Sequence, residues 1–151
     1  MKAVISLGAN VGNPREQVEL AIALIGGALD VTATSTLYET KPVGNLDQPN
    51  FINAIVLAES ELPPLEVLHI LQGIEKAMGR ERKEKWGPRT IDLDLIQYGD
   101  VVLESEELNL PHPYAHQRKF VLQPWLEIDP LAELVNFGRV SELLEQIPGE
   151  L

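Results

Sequence analysis

The pattern of apolar and polar positions changes period several times along the chain. Short apolar runs, and runs rich in Val and Thr, predict four strands, at positions 3–7, 31–40, 51–59 and 90–98. Between them, two stretches place apolar residues every three to four positions, which predicts amphipathic helices. We expect the first helix to begin at Asn13-Pro14 and end at Gly26-Gly27, and the second to run from Pro63-Pro64 to Gly79.

This order of elements, β-α-β-β-α-β, predicts a ferredoxin-like α+β fold in which two helices pack on one face of an antiparallel sheet. Segments rich in turn residues are expected to form loops at 8–13, 41–50 and 80–88. A short C-terminal extension follows, with a strand near 101–103 and helices near 120–126 and 141–146. The length of 151 residues suits a single domain.

Composition excludes several classes of protein. The chain carries a formal net charge of −11 and no cysteine, and an acidic surface is a poor partner for nucleic acid. No apolar run has the length of a membrane span or of a signal-peptide core. We therefore expect a cytoplasmic protein that binds neither nucleic acid nor membrane. The oligomeric state stays open between a monomer and a weak homodimer.

One segment departs from the overall acidity. Residues 80–89 include five basic and two acidic side chains, a local charge of +3 in a chain whose remainder carries −14. A basic island of this kind suits a compact anion such as a nucleotide triphosphate. A solvated loop with a chance cluster of charges explains the island equally well.

The sharpest local feature is the alternation of apolar and acidic residues over 91–95. On a strand, Asp92 and Asp94 point to the same face, about 6.5–7 Å apart along the chain. Mg²⁺ prefers one or two carboxylates together with water and substrate phosphates. Taken alone, the pattern also fits an amphipathic strand with its acids in water. Arg89 lies three residues before Asp92, and because arginine binds phosphate in a bidentate manner, the combination favours phosphoryl transfer.

The segment 80–94 resembles the signature of the 6-hydroxymethyl-7,8-dihydropterin pyrophosphokinase family of folate biosynthesis. Further blocks resemble the same family in the same order, at 7–12, 40–54, 72–80 and 111–124. The resemblance covers about residues 5–130. It implies that residues 1–151 form a single catalytic domain, and because the chain ends soon after the matched region we expect no fused folate enzyme.

The activity that the resemblance implies is transfer of the pyrophosphoryl group of ATP to the hydroxymethyl group of 6-hydroxymethyl-7,8-dihydropterin, with release of AMP. ATP would be the co-substrate, and Asp92 and Asp94 would hold two Mg²⁺ ions. Arg80 and Arg89 would stabilise charge on the triphosphate and complete the catalytic set.

The resemblance also implies two binding sites. The residues expected to bind ATP are Gln72, Glu75, Arg80, Arg82, Trp86, Arg89, His112 and Arg118. The residues expected to bind the pterin are Thr40, Pro42, Val43, Gly44, Phe51, Asn53, Asp92 and Phe120. Phe51 and Phe120 would stack on the two faces of the ring, and Asn53 would bind its amide-like edge. Arg82 and Trp86 would belong to a mobile loop that closes the site.

Two alternatives stay open. One is a different Mg-ATP phosphotransferase on the same fold, with another small planar substrate. The other is a non-catalytic nucleotide-binding module. The presence of both acids and both catalytic arginines disfavours the module.

Overall fold

The structure, a computed structural model, describes residues 1–42, 47–79 and 91–149. In chain order the elements are β1 (Lys2–Ala9), α1 (Pro14–Ala28), β2 (Asp30–Thr34), β3 (Tyr38–Thr40), β4 (Phe51–Glu59), α2 (Pro64–Ala77), β5 (Asp92–Tyr98), β6 (Leu103–Glu104), β7 (Asn109–Leu110), a 3₁₀ turn (Ala115–Gln117), α3 (Lys119–Ile128), β8 (Glu133–Leu134), β9 (Gly138–Arg139) and α4 (Val140–Glu145).

The central sheet has the strand order β2-β4-β1-β5, and β3 pairs with the first residues of β4. Every neighbouring pair in this sheet is antiparallel. The first strand of the chain therefore lies between the third and the last of the four predicted strands. This order confirms the ferredoxin-like α+β fold.

The two faces of β1 enter different parts of the core. Ala3, Ile5 and Leu7 pack with the apolar residues of α1 and α2, whereas Val4 packs with those of α3 and α4. Trp125 of α3 is only 2% exposed and is among the largest buried side chains. The C-terminal extension thus adds a third layer on the sheet face opposite α1 and α2.

The predicted end of the first helix is wrong. Asn13 does cap the helix, since its side chain accepts a hydrogen bond from the Glu16 backbone N–H. However, α1 continues through Gly26 and Gly27, and the backbone N–H of Leu29 donates to Ile25 at 2.8 Å. The packing of Ile25 and Leu29 in the core outweighs the low helix propensity of two exposed glycines.

The strand predicted at 31–40 is two strands, β2 and β3. The break lies at Ser35, which is buried and binds Ile55 twice. The backbone N–H of Ser35 donates to the Ile55 carbonyl, and the Ser35 hydroxyl accepts from the Ile55 N–H, both at 2.9 Å. Because a side-chain oxygen takes the place of a backbone partner, the chain leaves the regular ladder here.

The extension differs from its prediction in its strands. The strand expected at 101–103 lies instead at β6, where Leu103 pairs with Leu110 of β7, and Val102 is 58% exposed. The hairpin of β8 and β9 was not predicted. Both predicted helices are present as α3 and α4. Among the described residues, no helix combines the length and the apolar character needed to span a membrane.

A carboxylate on α3 ties the third layer to the sheet. Glu127 accepts hydrogen bonds from the backbone N–H of Thr36 at 3.0 Å, from the Thr36 hydroxyl at 2.8 Å and from the Tyr38 hydroxyl at 2.6 Å. Partial desolvation acts to raise the pKa of Glu127, but the hydrogen bonds from Tyr38 and Thr36 outweigh it and lower the pKa.

We expect Glu127→Ala to lower the free energy of unfolding by about 1 kcal/mol, since charge-assisted bonds at an exposed site give a modest net stabilisation. Urea unfolding at pH 7 measures the change, with Glu145→Ala on α4 as the matched control. Because the pKa of Glu127 is lower in the folded state, the contribution should fade as the pH drops through the carboxylate range. Equal stability of the two variants would contradict this role.

Candidate functional site

Asp92 and Asp94 lie at the start of β5, the last strand of the central sheet. Both are half-buried and point away from the face that packs on α1 and α2, where Leu93 and Leu95 are buried. Their partners across the ladder on β1 are Gly8 and Ser6. The acid-bearing face predicted from the alternation is therefore present, and it shares its side of the sheet with α3.

The carboxylate oxygens of Asp92 and Asp94 suit a hard cation that is already partly coordinated by water and substrate phosphates. Within residues 1–42, 47–79 and 91–149, no three acidic, histidine or cysteine side chains form a more complete metal cage. Two carboxylates suit Mg²⁺ when phosphates and water complete its shell, since the ion seldom needs an all-protein cage.

A third carboxylate supports the backbone between the two acids. Glu75 of α2 is only 7% exposed and accepts a hydrogen bond from the backbone N–H of Leu93 at 2.9 Å. Glu75 was predicted to bind ATP. One of its oxygens lies against β5, where it holds the backbone between Asp92 and Asp94, and the ATP-binding role of Glu75 stays a prediction.

We expect Glu75→Ala to cost about 1–3 kcal/mol in unfolding free energy, because it leaves the buried N–H of Leu93 without its acceptor. Glu75→Gln keeps an acceptor oxygen and should cost less. Chemical denaturation of both variants measures the difference, and Glu66→Ala in the exposed first turn of α2 is the control. If Gln and Ala were equally destabilising, the bond to Leu93 would not be the reason.

A second group of predicted residues lies on the same side of the sheet. Asn53 of β4 is 5% exposed and pairs across the ladder with Gly8, which pairs on its other side with Asp92. Phe51, two residues earlier on β4, is half-buried on the same face. Thr40 at the end of β3 is buried, and its hydroxyl donates to the Asn53 amide oxygen.

The loop before β4 is anchored to the end of β1. The side-chain N–H of Asn10 donates to Gln48 at 2.7 Å and to the carbonyl of Pro49 at 3.0 Å. Pro42, at the other end of the described part of this loop, is buried. The predicted pterin residues Val43 and Gly44 lie outside the described residues.

The third group surrounds the start of α3. The guanidinium of Arg118 lies over the rings of Tyr114 and Phe120, 5.7 and 5.6 Å from their centroids. The rings of His112 and Tyr114 meet edge to face at 6.1 Å. The backbone N–H of His112 donates to Ile96 of β5 at 2.8 Å, which ties this group to the acid-bearing strand.

His112 is neutral at pH 7. Burial of the ring, with a smaller effect of the Arg118 charge, lowers the pKa of His112 to about 4, although Asp92 acts in the opposite direction. Its Nδ1 accepts a hydrogen bond from the Tyr114 backbone N–H at 3.2 Å. The proton of the neutral ring therefore sits on Nε2, which is a donor.

We expect the imidazole resonances of His112 to titrate near pH 4 and not near 6.5. The folded pKa lies below the unfolded value, so the unfolded chain takes up the proton first and the folded state loses stability as the pH falls from 6.5 towards 4. His112→Asn should lose less stability than wild type over this range in urea unfolding. A titration midpoint above 6 would contradict the burial of this ring.

The remaining predicted ATP-binding residues are not among the three groups above. Gln72 lies exposed on α2, one turn before Glu75. The predicted ATP-binding residues of the basic segment lie outside the described residues: Arg80, Arg82, Trp86 and Arg89.

Two residues that contact this site were given no role from the sequence. Tyr114 contacts both His112 and Arg118, and an exposed tyrosine in a proline-bounded loop gave no signal. Gly8 was expected in a turn but lies within β1 beside Asn53. A glycine flanked by apolar residues on a predicted strand is the signal that could have marked a close approach of another chain segment.

The fold and the comparisons with known proteins define a class, the ferredoxin-like enzymes that transfer a pyrophosphoryl group. Residues 4–130 match the family described as 7,8-dihydro-6-hydroxymethylpterin-pyrophosphokinase (HPPK). The chain belongs to this family, as the sequence predicted, and is an ATP-dependent pyrophosphokinase.

Individual relatives agree with this assignment. A 2-amino-4-hydroxy-6-hydroxymethyldihydropteridine pyrophosphokinase from Haemophilus influenzae is 40% identical over 146 residues, covering 95% of this chain and 91% of that protein. The protein of the same name from Bacillus subtilis is 43% identical over 128 residues, covering 83% and 77%.

Solved structures agree on the fold. The Plasmodium falciparum HPPK-DHPS structure with pteroate matches with a TM-score of 0.76 at 16% identity. The match covers 96% of this chain and 42% of that longer chain, so the present chain spans less than half of it.

Proposed function

We propose that this chain transfers the β,γ-pyrophosphoryl group of ATP to the hydroxymethyl oxygen of 6-hydroxymethyl-7,8-dihydropterin. The products are AMP and the dihydropterin pyrophosphate, and the reaction is a step of tetrahydrofolate biosynthesis. The observation that carries the proposal is the row of Asn53, Gly8 and Asp92 across three strands. It puts a buried amide and a pair of carboxylates on one face of the sheet.

Asp92 and Asp94 hold two Mg²⁺ ions in this proposal. When bound there, the ions would supply positive charge against the triphosphate and the transferring group. The chain's own contribution is to keep both carboxylates on one rigid strand, facing the same way. Glu75 assists by holding the Leu93 backbone between them.

The pterin binds on the neighbouring part of the same face. Asn53 offers a donor and an acceptor to the amide-like edge of the ring, and Phe51 and Phe120 provide aromatic faces for stacking. Thr40, Pro42, Val43 and Gly44 are the further pterin-binding residues of this proposal. The hydroxymethyl group then projects towards Asp92.

The nucleotide binds at the outer edge of β5, which α2 borders on one face of the sheet and the segment before α3 on the other. Arg118 provides a fixed positive charge, and His112 provides a neutral Nε2 donor. Gln72 of α2 lines the proposed site from the other face of the sheet. In this proposal Arg80 and Arg89 stabilise charge in the transition state, and Arg82 and Trp86 are further ATP-binding residues.

The reaction needs no covalent intermediate with the protein. The hydroxymethyl oxygen attacks the β-phosphorus and gives up its proton to solvent, the bond between the α,β-bridging oxygen and that phosphorus breaks, and AMP leaves with the electron pair. Catalysis of this kind depends on alignment and on charge stabilisation. A cytoplasmic location and a monomeric or weakly dimeric state stay predictions.

A product assay tests the proposal. With Mg-ATP and the reduced pterin, wild type should release AMP in step with pterin consumption. Asp94→Asn should lower turnover about 10²–10³-fold, because a bound metal contributes several kcal/mol to the transition state. Asp100→Asn, at an exposed turn after β5, is the matched control.

The outcomes separate the alternatives. ADP as product would indicate another phosphotransferase of this fold. Nucleotide binding without turnover would indicate a non-catalytic module. An Asp94→Asn variant with wild-type turnover and an intact fold by circular dichroism would remove the acid pair from the reaction.

A further inference from the structure

Asn53 lies unusually close to the backbone of β1. A Cβ added at Gly8 would sit 2.8 Å from the Asn53 side-chain nitrogen and 3.8 Å from the ring of Phe51. The first distance is shorter than real side-chain contacts allow, so any other residue at position 8 would displace the amide. Glycine within β1 is therefore the condition for the present position of Asn53.

The surroundings of this amide define its orientation. The side-chain nitrogen of Asn53 faces the Leu7 carbonyl at 3.4 Å, and a carbonyl can only accept a hydrogen bond. The opposite rotamer would put the amide oxygen against that carbonyl, with two acceptors facing each other. With nitrogen towards Leu7, the amide oxygen faces the Thr40 hydroxyl, which donates to it.

These two contacts leave one N–H donor and one acceptor of the Asn53 amide in fixed positions. A primary amide has two N–H donors and an oxygen with two lone pairs. The Leu7 carbonyl uses one donor and the Thr40 hydroxyl one lone pair, so one donor and one acceptor of Asn53 remain. Their order along the site is opposite in the two orientations of the amide.

We propose that Gly8 and the Thr40 hydroxyl are positioning residues that hold the Asn53 amide in one orientation and thereby set specificity for the ring edge of the substrate. The inference rests on the proposed function, in which Asn53 binds the pterin. A ring edge with a carbonyl beside an N–H matches one orientation of the amide. An edge with an amino group beside an unprotonated ring nitrogen matches the other.

Binding titrations of purified full-length protein test this inference. The probes are 6-hydroxymethylpterin and 2,4-diamino-6-hydroxymethylpteridine, each added with Mg²⁺ and a non-hydrolysable ATP analogue. Wild type should prefer the first. Gly8→Ala and Thr40→Val should each weaken its binding about tenfold, because hydrogen bonds to the ring edge are lost. The ratio of the two affinities should shrink in both variants, and binding of the nucleotide analogue alone should stay within about twofold.

Matched variants separate positioning from general damage. Thr40→Ser keeps the hydroxyl and should recover most of the affinity lost in Thr40→Val. Gly27→Ala in α1, where an added Cβ meets nothing within 4 Å, and Thr34→Val on exposed β2 are the controls for the two substitutions. If Gly8→Ala does not fold, the comparison of Val and Ser at position 40 decides the matter.

Two results would overturn the inference. One is an unchanged ratio of the two pteridine affinities in the folded variants. The other is an equal loss of pterin and nucleotide binding, which would indicate a purely structural role. The proposed function fails separately, if wild type binds no pterin or releases no AMP.

Discussion

Antiparallel pairing of β1 with both β4 and β5 is the interaction on which the site depends. The register places Gly8 between Asn53 and Asp92, and Ser6 between Ile55 and Asp94. Because side chains alternate along a strand, a slip of one residue would turn the acids of β5 into the core beside α1 and α2. Burial of β1 on both faces opposes such a slip, since apolar residues on either side would become misplaced.

Local patterns in the sequence were sufficient to predict the bounds of β4 and the face of β5 that carries its acids. The alternation around Asp92 and Asp94 placed both acids on one face correctly, and 51–59 was predicted with the bounds of β4. Partners far along the chain explain the errors. Ser35 leaves the ladder because of its contacts with Ile55, and Gly8 resembles a turn residue until its neighbour Asn53 is known.

The third layer, formed by α3 and α4, also could not be placed from local sequence patterns. The helix periodicity of α3 and α4 was visible, but nothing in that pattern said which surface they cover. In the structure they cover Val4 and Ile55, apolar residues on the sheet face that α1 and α2 leave open. Glu127 then sets the position of α3 through Thr36 and Tyr38, where β2 gives way to β3. The start of α3, with Arg118 and Phe120, is thereby held against the sheet.

The distribution of charge in the described part of the site is consistent with the ligands proposed for each group. A chain with a net charge of −11 repels a triphosphate, so the cations near it must be strong and fixed. Arg118 meets that need in the proposed site, because a guanidinium is a permanent cation and this one lies over the rings of Tyr114 and Phe120. In the proposed site, a charged His112 would repel the divalent cations assigned to Asp92 and Asp94. Burial and the charge of Arg118 keep this ring neutral, so it can donate a hydrogen bond without adding charge.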